Sequence, residues 1–267
     1  MVAFPNAKIN LGLYITEKRS DGYHNLESVF VPVGWSDVLE ILPASETSFR
    51  STGLPIPGEA STNLCLRAYE LLRQDFDLSP VRIHLHKVVP IGAGLGGGSS
   101  DAAFTLKLLN ALFNLKLSEE ALEAYARPLG SDCAFFIRNE AKFCFGKGDE
   151  FSEIMLNLAG KSILLVYPDL HSSTAEAYAG IRPRAAEAHW TQVVQQPLST
   201  WKASLTNDFE QSLFPKYPQL AQIKEQLYEA GAAYASMSGS GSTVYGIFEG
   251  EVPEALFPQL TTWQGKF

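Results

Sequence analysis

From Ala7 to Ile15 apolar and polar positions alternate: Ile9, Leu11, Leu13 and Ile15 on one side, Lys8, Asn10, Gly12 and Tyr14 on the other. That period of two predicts a strand with one buried face. Lys8 and Asn10 then project together, away from the apolar row. Asp21-Gly22 reads as a turn, and segments 28–33 and 38–42 as further strands, so the chain is expected to open as a meander ended by the Pro/Gly-rich loop 55–58. Ser61 or Thr62 is expected to cap a helix whose Leu64, Ala68, Leu71 and Leu72 share a face. Val81, Ile83 and Leu85 mark a strand. A helix over 102–115 follows, with Ser99, Ser100 and Asp101 offering N-cap chemistry, then a second over 117–125 that stops near Pro128 and Gly130.

Further on, 142–145 resembles one arm of a hairpin, 162–167 is a fresh buried strand, and a domain boundary is expected within 151–161, giving domains 1–155 and 156–267. The less regular stretch 182–206 reads as a surface excursion. A helix over 219–229 ends at Gly231 and precedes strands over 234–237 and 244–248. Strand, helix, helix, strand, strand implies an α+β sandwich in the C-terminal part.

Composition narrows the partners. With 29 acidic against 21 basic residues, a formal charge of -8 opposes general affinity for nucleic acid or anionic membrane, which reward basic surfaces. An anionic substrate then requires local basic groups. The three cysteines, Cys65, Cys133 and Cys144, lack metal-ligand spacing and suit a reducing compartment. No apolar run reaches the length of a membrane span, and strand alternation from Ala7 leaves no room for a leader, so a cytoplasmic protein is expected.

The chemistry centres on Pro90-Ile-Gly-Ala-Gly-Leu-Gly-Gly-Gly-Ser-Ser-Asp-Ala102, where glycine takes five of the seven positions from 92 to 98. Glycines let backbone approach a ligand closely, and the helix start behind them offers unpaired amides and the positive end of its dipole. This combination reads as a phosphate cradle. Gly92, Gly94 and Gly97 formally fit a dinucleotide fingerprint, but the acidic strand end expected about 20 residues on is replaced by a helix. The Walker A pattern nearly fits 92–99, except that Gly98 stands where its lysine belongs. A lysine must come from elsewhere.

Four segments together resemble the GHMP kinases, the superfamily of galacto-, homoserine-, mevalonate- and phosphomevalonate kinases: Ala7-Lys-Ile-Asn-Leu11, the Pro90–Ala102 loop, Leu129-Gly-Ser-Asp132 and Met237-Ser-Gly-Ser-Gly-Ser-Thr243. The resemblance implies an α+β GHMP kinase fold, with an N-terminal domain like the second domain of ribosomal protein S5, a C-terminal ferredoxin-like domain, and an active site in the cleft between them. Asp21-Gly-Tyr-His24, with Leu26 and Ser28-Val-Phe30, is similar to the branch that acts on a cytidine-diphosphate-linked methylerythritol in the non-mevalonate isoprenoid route. The implied reaction moves the ATP γ-phosphoryl group to the acceptor's 2-hydroxyl, with Mg²⁺.

By the same resemblance Asp132 is the catalytic aspartate and Lys8 the catalytic lysine. ATP is held by Pro90, Ile91, Gly92, Ala93, Gly94, Leu95, Gly96, Gly97, Gly98, Ser99 and Ser100, with Asn63 and Lys87 near the adenosine. The acceptor is bound by Asn10, Tyr23, His24 and Tyr178, the tyrosines stacking on cytosine and His24 bonding its edge. The serines of the 238–243 loop contribute donors. Ser99 or Ser100 is the expected Mg²⁺ ligand, while the superfamily's separate glutamate has no identified counterpart. Cys133-Ala134 departs from the family's small aliphatic residue and proline, leaving the carboxylate in place. A homoserine or mevalonate kinase, a catalytically silent nucleotide-binding module and a dinucleotide oxidoreductase are the competing readings.

Overall fold

The computed structural model describes residues 1–185 and 190–267. In chain order its elements are β1 (Val2–Ala3), β2 (Asn6–Lys18), β3 (His24–Ser36), β4 (Val38–Pro43), β5 (Ser48–Gly53), α1 (Leu64–Asp75), β6 (Val81–Lys87), α2 (Gly97–Leu112), α3 (Glu119–Ala126) and α4 (Phe135–Arg138). Then come β7 (Lys142–Phe145), β8 (Glu150–Glu153), β9 (Ser162–Tyr167), α5 (Thr174–Ala179), α6 (Trp190–Val193), α7 (Trp201–Ser204), α8 (Phe209–Leu213), α9 (Pro218–Glu229), β10 (Tyr234–Met237), β11 (Val244–Phe248) and β12 (Thr261–Lys266). Contacts divide the chain into two compact units. One holds Met1–Ala7, Gly34–Ile91 and Gly96–Glu140; the other holds Lys8–Val33, Gly92–Leu95 and Ala141–Phe267. The 155/156 boundary expected from sequence falls inside the second unit.

In the first unit the strand order is β1-β4-β6-β5, with β5 parallel to β6 and the other pairs antiparallel. Strand β6 alternates as its sequence demands, with Val81, Ile83 and Leu85 buried. Helix α1 buries Cys65, Ala68, Tyr69 and Leu72 and packs on α2. Its N-cap is Asn63, whose side chain accepts from the Cys65 amide, so neither Ser61 nor Thr62 caps it. Helix α2 begins at Gly97, inside the glycine run and well before the expected position 102, because Gly96 takes a left-handed conformation (φ 69°) and serves as N-cap. Ser99, Ser100 and Asp101 are therefore helical residues and make no side-chain cap. In the body of α2 the buried apolar residues include Ala102, Ala103, Leu106 and Leu109, which seat the helix firmly.

The second unit contains the sheets β2-β3-β7-β8 and β10-β11-β9-β12. The expected meander is corrected here: β4 leaves β3 to join the first unit's sheet. Strand β2 is buried on both faces from Ala7 to Tyr14, so Lys8 and Asn10 lie inside, at 4% and 2% exposure, where a solvated polar face was expected. One core joins Leu13 and Ile15 to Leu164, Val166, Phe209, Leu213, Leu220, Ile223 and Leu227. The stretch 182–206 is not a plain surface excursion, since Trp190, Val194, Leu198, Trp201 and Leu205 are buried; its residues 186–189 lie outside the described ones. Strands β5 and β12 escape sequence reading because each buries too little to show an apolar row. Among the described residues no helix is long and apolar enough to cross a membrane.

Candidate active site

In the first unit the start of α2 presents unpaired backbone amides. Its opening amides, Gly97, Gly98 and Ser99, precede the first turn's bonding, which begins with the Ser100 amide donating to the Gly96 carbonyl at 2.9 Å. Beneath them lies a buried ion cluster. Lys87 Nζ donates to Asp37 at 2.5 Å and to Asp101 at 2.7 Å, and the other Asp37 oxygen accepts from the Val88 and Val89 amides. A Cβ on Gly97 would stand 2.9 Å from Lys87 Nζ, so glycine is what lets the helix start rest on this lysine. Burial pushes the Asp101 carboxyl up, to about 7, with Lys87 pulling the other way and Asp37 adding to the rise. Burial alone would lower the Lys87 amine, yet the two carboxylates raise it. Lys87 stays charged at the price of holding both acids.

The Asp132 turn abuts the same helix start. Cys133, buried beside it, bonds the Ser99 side chain, and burial pushes its thiol up to about 11. A Cβ on Gly130 would meet Cys133 Sγ at 3.2 Å and Ser99 Oγ at 3.7 Å. Asp132 itself is half-buried, with Ser131 Oγ at 3.5 Å. A carboxylate therefore stands on the turn packed against the N-terminus of α2. Asn63 Oδ1 serves the α1 cap at 2.9 Å, and Ser100 Oγ is fully buried with no hydrogen-bond partner.

In the second unit β2, the Gly92–Leu95 segment and the 238–243 loop come together. The Lys8 amide donates to the Leu95 carbonyl, the Thr243 amide to the Ala93 carbonyl, and the Ser238 hydroxyl to the Gly94 carbonyl at 2.8 Å. Gly94 (φ 78°) admits no side chain, because a Cβ would lie 1.9 Å from the Ser238 carbonyl oxygen. The expectation that this loop's serines contribute donors is corrected in part: Ser238 is bonded to Gly94, and the Ser242 hydroxyl donates to the Leu170 carbonyl. Lys8 Nζ donates to Asn10 Oδ1 at 2.7 Å and sits 4.3 Å from the Phe30 ring centroid. Asn10 Nδ2 donates to Ser28 at 2.9 Å, and Tyr245 donates to the Asn10 carbonyl at 2.6 Å.

His24 and Tyr178 also meet in this unit, their rings stacked at 4.7 Å and 24°. Tyr178 is braced by Phe209, edge-on at 4.8 Å, and by α5, whose Ser173 and Glu176 form a reciprocal cap. Tyr23 is 64% exposed, with Lys147 at 5.6 Å from its ring. The facing surfaces of the His24 and Tyr178 rings are thereby covered by each other.

Of the residues read from sequence, the second unit thus gathers Lys8, Asn10, Gly92, Ala93, Gly94, Leu95, Tyr23, His24 and Tyr178. The first gathers Asn63, Lys87, Pro90, Ile91, Gly96, Gly97, Gly98, Ser99, Ser100 and Asp132. Sequence reasoning missed Asp37, Ser28 and His171, whose ring would meet a Cβ on Gly92 at 3.0 Å. Ser28 had a signal, its place in the Ser28-Val-Phe30 motif; Asp37 had none, since only folding brings it to Lys87.

Residues 63–140 match the sequence family described as GHMP kinases N terminal domain, and 192–261 that described as GHMP kinases C terminal. A 4-diphosphocytidyl-2-C-methyl-D-erythritol kinase of Cytophaga hutchinsonii is 58% identical, the match covering 93% of this chain and 92% of that protein. Its counterpart in Bacteroides thetaiotaomicron is 54% identical, over 98% and 96%. Among solved structures, a 4-(cytidine 5'-diphospho)-2C-methyl-D-erythritol kinase superposes with TM-score 0.86 at 31% identity, covering 99% of this chain and 98% of that one. A mevalonate kinase of Methanococcus jannaschii, at 15% identity and TM-score 0.72, shares the fold.

Proposed function

The chain belongs to the GHMP kinases, in the branch of 4-diphosphocytidyl-2-C-methyl-D-erythritol kinases, and from that premise we propose that it transfers the ATP γ-phosphoryl group to the 2-hydroxyl of 4-diphosphocytidyl-2-C-methyl-D-erythritol. The observation that carries the reading is the buried Lys8, held by Asn10 on a strand whose backbone is bonded to the glycine segment at Leu95. It answers the absence of a lysine at Gly98. Phosphoryl transfer demands positioning and charge stabilisation above all. In this proposal the α2 amides hold phosphate oxygens, and Lys8 offsets negative charge on the transferring group. Asp132 accepts the proton of the acceptor hydroxyl, or holds that hydroxyl in line. Tyr23 and Tyr178 are the residues that stack on cytosine in this proposal, and His24 bonds its edge.

Mg²⁺ belongs to the proposal as ATP's companion, neutralising charge on the phosphoryl oxygens when bound. Such an ion takes few protein ligands beside phosphate. Among the described residues no cluster of three or more His, Cys, Asp or Glu could hold a metal, and the unpartnered Ser100 hydroxyl at the helix start fits a single oxygen ligand, with Ser99 the alternative. Family domains over 1–155 and 156–267 and a cytosolic setting complete the reading; three free, buried cysteines support the latter. Purified protein offered ATP with the cytidine-linked acceptor, homoserine, mevalonate and galactose in turn should release ADP with the first alone. Comparable turnover of homoserine or mevalonate overturns the acceptor assignment.

A further inference from the structure

The Ser28 hydroxyl is completely buried and has two partners of fixed character. It lies 2.6 Å from the Gly12 carbonyl oxygen, which can only accept, so its one hydrogen goes there. Toward Asn10 it must then accept, at 2.9 Å, which places the amide nitrogen of Asn10 on that side and the amide oxygen on the other. That oxygen receives the Lys8 ammonium at 2.7 Å, and an ammonium can only donate. Both ends of the chain of bonds therefore agree on one orientation of the Asn10 amide. The Asn10 backbone is separately fixed by Tyr245, so the side-chain torsions are the freedom that Ser28 removes.

We infer that Ser28 is a positioning residue: by anchoring to the Gly12 carbonyl and accepting from Asn10, it turns the Asn10 oxygen toward Lys8 and holds the lysine in its working place. The inference rests on the reading of Lys8 as the charge-stabilising group. Without the Ser28 oxygen the Asn10 amide loses its outer partner and can reverse, presenting N–H groups to the ammonium. Lys8 would then lose the Asn10 oxygen as an acceptor.

The test is a kinetic series on the full chain: Lys8→Ala, Asn10→Ala, Ser28→Ala, Ser28→Thr, Ser28→Cys and the Asn10/Ser28 double alanine variant. Displacing a catalytic group by a fraction of an ångström to one ångström costs up to about 100-fold, so Ser28→Ala should lower kcat by roughly 10- to 100-fold. KM for ATP should change little. Ser28→Thr, which keeps the hydroxyl, should recover most of the activity, and Ser28→Cys, a weaker donor and acceptor of similar size, should fall between. In the Asn10→Ala background, Ser28→Ala should add at most about threefold, because the two act through one path. A merely structural serine would instead give multiplying losses, or equal losses for cysteine and alanine. Wild-type kcat in Ser28→Ala or Ser28→Cys, or multiplying losses in the double variant, overturns the inference. Full activity in Lys8→Ala would strike the underlying reading instead, a result separable from either.

Discussion

Asp132 is half-buried on a turn packed against Ser99 at the start of α2, and the proposed reaction gives its carboxylate the acceptor hydroxyl. Asp132→Asn keeps the shape and removes the base, so turnover should fall by roughly 10²-fold or more while ATP affinity holds, as read by single-turnover kinetics and calorimetric titration. Retained turnover would remove Asp132 from the chemistry. His24 makes a different prediction. It is stacked on Tyr178, and His24→Ala should raise KM for the cytidine-linked acceptor and leave KM for ATP unchanged. Steady-state kinetics with each substrate varied checks both halves. The motifs that single these residues out were legible in the sequence, but the environment of the residues was not. An alternating strand with polar residues on one side reads as half-exposed, and only packing on both faces buries Lys8 and Asn10.

At the scale of elements, α2 and the strand end before it are joined by the Lys87, Asp37 and Asp101 cluster. Facing Asp101 are Lys87 from β6, Asp37 from the segment between β3 and β4, and Cys65 from α1, whose thiol is pushed up by burial and by Asp101. The folded Asp101 carboxyl sits at about 7, above its ordinary 3.8. Between those limits the folded state keeps a proton that the unfolded state has released. This contribution to stability is therefore fully present below about pH 4 and is lost as pH rises through about 7. Urea midpoints for the wild type and Asp101→Asn should differ in that sense, the wild type losing ground to the variant across the window. Parallel curves would contradict the assignment. Here the sequence pointed to the glycine run and a following helix, yet misplaced the helix start. Left-handed Gly96 does the capping that Ser99, Ser100 and Asp101 seemed suited for, and a φ near 69° has no sequence signature beyond glycine itself.

For the whole molecule, the sequence pattern located β9, α9, β10 and β11 closely because each carries a plain apolar row or a helix-ending glycine. It failed where polar edge strands pair or where chain order and packing part company. Residues 8–33 and 92–95 join a unit built mainly from the chain after 140, a grouping that no local pattern announces. The same grouping places Lys8, Asn10 and Gly92–Leu95 with the 238–243 loop, so the reading of the protein as a kinase rests on long-range contacts as much as on motifs. Its central claim is the transfer of one phosphoryl group to one hydroxyl. Phosphorus-31 NMR of a reaction containing the protein, ATP, Mg²⁺ and 4-diphosphocytidyl-2-C-methyl-D-erythritol reads that claim directly, with the attachment point assigned by phosphorus–carbon coupling. The account predicts ADP and a single new phosphomonoester at carbon 2 of the methylerythritol, its formation lost in Asp132→Asn and in Lys8→Ala. Phosphate on another hydroxyl, or ATP hydrolysed to free phosphate with the acceptor unchanged, would contradict it.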